Sequence, residues 1–305
     1  MRIIRGVESF PRDAGAASVA LGVFDGVHLA HQAILEVAVG LARGGGMEAL
    51  VCTFDPHPLS VLQPGRGPAL ISTLEERLAL LAARGVDATV VLRFTEELAA
   101  IEPEAFVKDV VMERLRARDV VVGYNHTFGR GARGDAALLA SLGDRLGFRA
   151  HVVPPLMVEG VPVSSTEIRS RLRAGDVERA ARYLGRPYAI AGEIVAGAGR
   201  GRTLGFPTAN VKPDRELLVP TGVYACRALV DGHGAGAVVN VGVRPTFGER
   251  EVVVEAHLLD FCASLYGRRL RLEFVGRIRE ERKFPGPEAL RRQIADDVAE
   301  ARRRL

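Results

Sequence analysis

Cysteine is scarce and scattered: Cys52, Cys226 and Cys262 are the only three in 305 residues, and they sit in unlike contexts. Such spacing argues against a disulfide framework or a cysteine-based zinc site and fits a reducing, cytoplasmic setting. No apolar run approaches the ~18 residues of a membrane-spanning helix, and the opening MRIIRGVESFPRDAG has no signal-peptide core. No membrane partner is expected. Lysine is almost missing (Lys108, Lys212 and Lys283), so the basic charge is arginine. The net charge of +4 divides into −1 for residues 1–185 (21 basic, 22 acidic) and +5 for residues 186–305 (20 basic, 15 acidic). This modest excess has no aromatic-interleaved basic stripe; it suits anionic small molecules, and a nucleic-acid partner is not expected. There is also no GxGxxG after the first strong strand pattern, which argues against dinucleotide binding of the oxidoreductase kind.

What is present is organised around Ser18–Leu35, SVALGVFDGVHLAHQAIL. Val19, Ala20, Leu21, Val23 and Phe24 read as a buried parallel strand, bounded by Gly22 and then by Asp25-Gly26. Past His28, the residues Ala33, Ile34, Val37, Ala38 and Leu41 fall at helical spacing, and Gly44–Gly46 stop the helix. His28 and His31 are three apart, so a first helical turn puts both imidazoles on one face. A helix N-terminus with free N–H groups and a partial positive charge suits a phosphate. Spacing alone leaves open a surface pair, or half of a metal site with His57.

Further on, the strand Ala49–Phe54 ends in TFDPHP, where Pro56 and Pro58 stop regular structure and Asp55 and His57 project. The pattern then predicts a helix over Thr73–Arg84, a strand over Ala88–Leu92, a helix over Pro103–Leu115 and a strand over Asp119–Gly123. The Gly/Arg-rich loop Tyr124–Asp135 follows, then a helix over Ala136–Leu146 and a strand over Ala150–Val153. Ser164, Ser165 and Thr166 precede a helix carrying Ile168 and Leu172. Such hydroxyls are helix caps by default; with Arg169, whose planar guanidinium matches phosphate oxygens, they could also clamp a pyrophosphate. Alternating strands and helices predict a Rossmann-like parallel α/β domain over residues 1–185.

From Ala189 the pattern changes to short strands (AIAGEIVAG, VYACRALV, AVVNVGV, VVVEAHLLDF, LRLEFVGRI) separated by Gly- and Asp-rich turns. This predicts a small antiparallel β-barrel over residues 186–305, ending in an amphipathic helix from Pro287. Between the first two strands lies GAGRGRTLGFPTANV, in which Gly197, Gly199 and Gly201 permit a backbone that wraps a phosphate. Pro207 rigidifies the turn and aims Thr208 and Asn210, whose oxygens are hard ligands of the kind Mg²⁺ prefers. Glu255 stands among Val252, Val253, Val254 and Leu258; a carboxylate there is either paired with an arginine or used in chemistry.

Over nearly the whole chain these motifs resemble bacterial bifunctional riboflavin kinase/FMN adenylyltransferase (FAD synthetase). GVFDGVHLAH is similar to the HxGH loop of nucleotidyltransferases, TFDPHP and SSTEIR follow in the family's order, and GRTLGFPTAN resembles the riboflavin kinase motif closely. The resemblance implies an N-terminal adenylyltransferase domain and a C-terminal kinase barrel, acting with Mg²⁺ and ATP on riboflavin and then on FMN to give FAD. It implies catalytic roles for His28, His31 and Glu255, with Glu255 as general base toward the riboflavin 5′-hydroxyl. It places Gly22, Phe24, Asp25, Asn125, Ser165, Thr166 and Arg169 at the nucleotide and flavin of the first site. Gly201, Thr208 and Asn210 belong to the second, with Thr208 and Asn210 at the metal. Two positions depart from the pattern: Ala30 stands where the family usually has glycine, and His126 replaces an aromatic. They motivate the alternative of a kinase-only protein; a non-catalytic flavin sensor is the alternative of another class. Asn240, Arg244-Pro-Thr-Phe247, Asp260 and Arg279 continue the resemblance without an assigned role, and oligomeric state is not readable.

Overall fold

A computed structural model describes the chain except residues 197–199, 246–249 and 262–266; for residues 200, 202, 244, 245, 250 and 251 the backbone alone is described. Gly197, Gly199, Thr246, Phe247 and Cys262 therefore lie outside the described residues. The chain divides into two compact units, Met1–Ser165 and Thr166–Leu305.

The first unit holds a six-stranded, all-parallel sheet built from β1 (Arg2–Arg5), β2 (Ala17–Leu21), β3 (Glu48–Asp55), β4 (Ala88–Arg93), β5 (Ala117–Gly123) and β6 (Arg149–Val153), in the order β1-β4-β3-β2-β5-β6. Its central strands read as continuous apolar runs because both faces are covered. Val19, Leu21, Leu50, Cys52 and Val120 face a core with Phe106, Leu139 and Leu142, while Ala20, Val51 and Val121 face Ile34, Leu35, Ala38 and Leu81. From β2 the chain winds one way through β3 and β4, and β5 and β6 lie on the other side. The loops after β2 and β5 therefore flank the switch point, where open α/β sheets bind ligands.

Several local expectations shift. Pro58 opens a short helix, Pro58–Leu62, instead of ending regular structure, because its missing N–H costs nothing in a first turn. The expected helix over Pro103–Leu115 is a brief turn, Pro103–Ala105, followed by a π-helix over Phe106–Arg114. The helix Leu74–Ala82 is fixed by a capping box between Thr73 and Glu76.

On β5, the fully buried Asp119 accepts hydrogen bonds from Arg149 (2.7 Å) and His151 (2.6 Å) on β6. Burial pushes its pKa up, but the two donors and their charge outweigh this, and the net result lies below the ordinary value. A carboxyl depressed on folding stabilises above its unfolded pKa of about 3.9 and loses that contribution as pH falls through the folded value. Asp119→Asn is expected to lower the urea midpoint at pH 7 by the equivalent of about 2 kcal/mol. Its difference from the unsubstituted protein should vanish once pH falls below the folded pKa.

The second unit closes six antiparallel strands into a barrel: β9 (Tyr188–Val195), β10 (Ala209–Pro213), β11 (Gly222–Val230), β12 (His233–Pro245), β13 (Arg250–Leu258) and β14 (Arg269–Arg279), numbered after the two-residue strands β7 (Met157–Val158) and β8 (Val161–Pro162) of a small hairpin in the first unit. Tyr188, Ile190, Tyr224, Cys226, Val239, Leu272 and Phe274 are buried residues of these strands. A second apolar cluster (Val223, Ala225, Val238, Leu259) is covered by Val298, Ala301 and Leu305 of the terminal helix Pro287–Arg304. Helix Val177–Leu184 packs on the barrel too, with Glu178 reaching Arg304 (3.2 Å).

The terminal helix is also tied electrostatically. Asp297, 3% exposed, takes a bidentate pair from Arg279 at the end of β14 (2.8–3.1 Å) and an amide from Gln293 (2.8 Å). Removing one partner leaves the other charge buried and unpaired. Asp297→Asn is expected to cost about 3 kcal/mol of unfolding free energy, measured by urea denaturation. Arg279 and Asp260, which had no role from sequence, are thus structural: Asp260 pairs with Arg302 of the same helix (2.7 Å).

Candidate active sites

In the first unit, β2 ends in a loop held under tension. Phe24 and Val27 have φ of +54° and +39°, a region costly for residues bearing a side chain and most unusual for a β-branched one. Gly26 (φ +78°) has no room for a Cβ, which would meet Ile71 Cγ2 at 2.8 Å. The surroundings enforce this shape. The buried Asp25 carboxylate accepts from the N–H groups of Ile71 (3.0 Å) and Ser72 (3.0 Å), and Gly26 N–H donates to Ser72 Oγ (2.9 Å). Arg77, 1% exposed, donates to the carbonyls of Val23 (2.7 Å) and Phe54 (3.0 Å), tying this loop to the TFDPHP turn beyond β3. Asp25, expected at the ligand, is thus engaged in shaping the loop. Gly22 lies where a Cβ would come within 3.1 Å of the Phe24 ring.

That loop delivers the chain into helix Leu29–Gly45. His28 is its N-cap, and its Nδ1 accepts the backbone N–H of His31 (3.3 Å). An accepting Nδ1 places the neutral ring's proton on Nε2. The two imidazoles stack with centroids 3.5 Å apart and planes 16° off parallel, and Phe24 meets His31 edge-on at 5.1 Å. Two imidazoles and a helix N-terminus therefore converge at the switch point, an arrangement suited to an anion. Ala30 sits inside the first helical turn, and its φ is not positive, so its methyl group carries no backbone strain. His57 is an N-cap of its own helix, accepting from Leu59 N–H (3.2 Å). Among the described residues no group of three or more His, Cys, Asp or Glu side chains is placed to hold a metal.

Ser165 Oγ donates to the Asp25 carbonyl (3.2 Å), so a residue 140 positions away joins the same loop. Thr166 and the buried Arg169 follow it on helix Ser165–Arg173, whose first turn contains Ser165 and does not merely follow it. After β5, the exposed Asn125 directs its Oδ1 toward the space above Gly123, where a Cβ would lie 3.6 Å from it and 3.3 Å from Ile34 of the first helix. His126 stacks over the core residue Phe128 at 5.9 Å, its Nε2 is buried without a hydrogen bond among the described residues, and burial lowers its pKa to about 4. The ring is a neutral platform at neutral pH. The glycine-rich loop is pinned: at Gly129 (φ +68°) a Cβ would fall 2.6 Å from Pro103 Cα.

In the second unit, strand register assembles the site. The segment expected as a turn around Thr208 and Asn210 enters a strand, β10, which pairs Asn210 with Glu255 of β13, and Glu255 pairs across its other edge with Asn240 of β12. Directly opposed residues share a face of the sheet. The neighbours Val254 and Ala256 are fully buried on the opposite side, so Glu255 belongs to the outer, half-exposed face and is not enclosed by valines. Gly201 holds the corner that carries Thr208: its carbonyl accepts from the N–H of Leu204 (3.2 Å) and Phe206 (2.9 Å). A Cβ on Gly201 would lie 2.4 Å from the Phe206 carbonyl oxygen and 3.1 Å from Thr208 Oγ1.

Arg77 is the residue sequence reasoning missed. Its signal was position: it falls three after Leu74 and four before Leu81, on the inward stripe of its helix.

Comparison with known proteins covers both units. A family model described as FAD synthetase matches residues 10–167, and one described as riboflavin kinase matches residues 184–305. The chain is 38% identical over 290 residues to a bifunctional riboflavin kinase/FMN adenylyltransferase of Bacillus subtilis, covering 93% of this chain and 90% of that protein. It is 36% identical over 304 residues to the protein so named from Escherichia coli K12, covering 99% and 97%. A crystal structure described as a macrolide-efflux protein from Streptococcus pneumoniae aligns with a TM-score of 0.91 at 30% identity, covering 99% of each chain. No helix among the described residues is long and apolar enough to cross a membrane. The chain belongs to the bifunctional riboflavin kinase/FMN adenylyltransferase family.

Proposed function

We propose that the two units carry out successive steps of flavin-cofactor synthesis. The barrel unit transfers the γ-phosphoryl group of ATP to riboflavin, releasing FMN and ADP; the parallel-sheet unit transfers AMP from a second ATP to FMN, releasing FAD and pyrophosphate. The observation that carries the assignment of residues is the register that sets Glu255 directly beside Asn210 on the outer face of the barrel, one strand from the Thr208 corner.

In the kinase step Glu255 accepts the proton of the riboflavin 5′-hydroxyl as its oxygen bonds to the γ-phosphorus and the bond to ADP breaks. The transition state is loose, so position matters more than basicity. Thr208 and Asn210 would hold Mg²⁺: both offer hard oxygens, the donor type this ion prefers alongside waters and substrate phosphates. The ion offsets phosphate charge when bound with the nucleotide. Gly201 lets the backbone turn tightly beneath it.

In the adenylyl step an FMN phosphate oxygen attacks the α-phosphorus of ATP and pyrophosphate leaves. No covalent nucleophile is needed; donors aimed at the phosphates do the work. His28 and His31 supply them at the helix N-terminus, on the loop shaped by Gly22, Phe24 and Asp25. Ser165, Thr166 and Arg169 are further phosphate partners, and Asn125 with the neutral His126 faces the flavin. Cys52 and Cys226 are free and buried, in keeping with a cytoplasmic enzyme.

The test is direct. Incubation with riboflavin, ATP and Mg²⁺, followed by chromatography of the flavins, is expected to yield FMN and then FAD. FMN alone would favour a kinase-only protein, and neither product would leave a flavin-binding role.

A further inference from the structure

His257 stands two residues beyond Glu255 on β13 and so shares its outer face. The register pairs Ala209 with Ala256 and Asn210 with Glu255, so His257 is the next residue along β13 toward the Pro207–Thr208 corner that precedes β10. Its Nδ1 lies 2.8 Å from the carbonyl oxygen of Pro207. A carbonyl only accepts, so Nδ1 carries the proton and the imidazole donates. Phe206 meets the ring edge-on at 5.5 Å and 87°, which fixes its plane. The Pro207 carbonyl belongs to the same planar peptide unit as the Thr208 nitrogen, so orienting one orients the other. The Gly201 carbonyl secures the near side of this corner through Leu204 and Phe206, and His257 secures the far side.

We propose that His257 is the positioning residue of the kinase corner: by donating to Pro207 it fixes the peptide from which Thr208 and Asn210 present their oxygens, and it thereby sets affinity for the metal–nucleotide complex without taking part in proton removal. This rests on the kinase reading of the site. It separates His257 from Glu255 although the two are neighbours on one strand face.

Three variants test it: His257→Ala, His257→Asn and His257→Gln. The amide nitrogen of Asn falls where Nδ1 lies; that of Gln reaches the position of Nε2. Binding of Mg·ADP is measured by calorimetry beside kinase kinetics, with FAD formation from supplied FMN as an internal control. His257→Ala is expected to weaken Mg·ADP binding about five- to tenfold, the loss of one neutral hydrogen bond. KM for ATP should rise by a similar factor, while KM for riboflavin and FAD formation stay unchanged. Asn is expected to restore binding to within about twofold, and Gln is not. Unchanged binding in His257→Ala, or rescue by Gln and not by Asn, overturns the proposal. Should the Ala variant fail to fold, the Asn–Gln contrast decides alone. A wild-type protein that neither binds Mg·ADP nor makes FMN sinks the kinase reading instead, so the two failures are distinguishable.

Discussion

Glu255→Gln is expected to fold normally, to bind riboflavin and ATP, and to form FMN about 10²- to 10⁴-fold more slowly, the usual range for losing a positioned general base. The substitution keeps the shape and one carbonyl oxygen but removes the proton acceptor. Folding should survive because Glu255 is on the outer face of β13, while the residues that fill the opposite side there, Val254 and Ala256, are untouched. Its cross-strand neighbours are the amides of Asn210 and Asn240, which tolerate a third amide. Stopped-flow or chromatographic assay of FMN formation gives the rate, and riboflavin fluorescence quenching reports binding. FAD formation from supplied FMN should be unaffected, because that chemistry is assigned to the other unit. A variant turning over riboflavin at the wild-type rate would remove Glu255 from the reaction.

The sequence showed the architecture well where burial forces a pattern. Strands covered on both faces read as unbroken apolar runs, so β3, β4 and β5 were legible to within two residues, whereas β2 ends at Leu21, before the Val23 and Phe24 expected in it, because Phe24 turns to positive φ. The strand-to-helix passage at His28 was legible because the helical period begins there and Gly46, in the left-handed region, ends it. What stayed hidden depended on distant partners. β10 is five residues, Ala209–Pro213, with no alternation to announce it; only pairing with β9 and β13 makes it a strand. The partners of the Asp25 carboxylate stayed hidden because Ile71 and Ser72 lie 46 and 47 residues away. Glu255 looked enclosed by valines, yet the two-residue period of a strand puts Val254 and Glu255 on opposite faces. Ala30 carries no positive φ, so of the two reasons for a glycine there only close approach to a nucleotide is left; the strained positions are Phe24 and Val27.

That distribution of strain makes His31→Ala the cleanest probe of the adenylyl site. The cap of helix Leu29–Gly45 runs from His28 Nδ1 to the backbone N–H of residue 31, which alanine retains. Alanine is also the best helix former, so the first turn gains propensity as it loses the ring. The lost contacts include the stack on His28 and the edge contact with Phe24, both at a half-buried side chain. The thermal midpoint should therefore stay within a few degrees of wild type, whereas His28→Ala, which deletes the cap itself, should cost about 1 kcal/mol. Activity should divide the other way. Losing a donor aimed at transferring phosphates is expected to slow FAD formation about 10²- to 10³-fold, with FMN formation unchanged. The pair of measurements, calorimetry for the midpoint and FAD formation from supplied FMN and ATP, separates a catalytic imidazole from a packing one. If His31 only packs, the midpoint falls and the rate stays; if it grips phosphate, the rate falls and the midpoint stays.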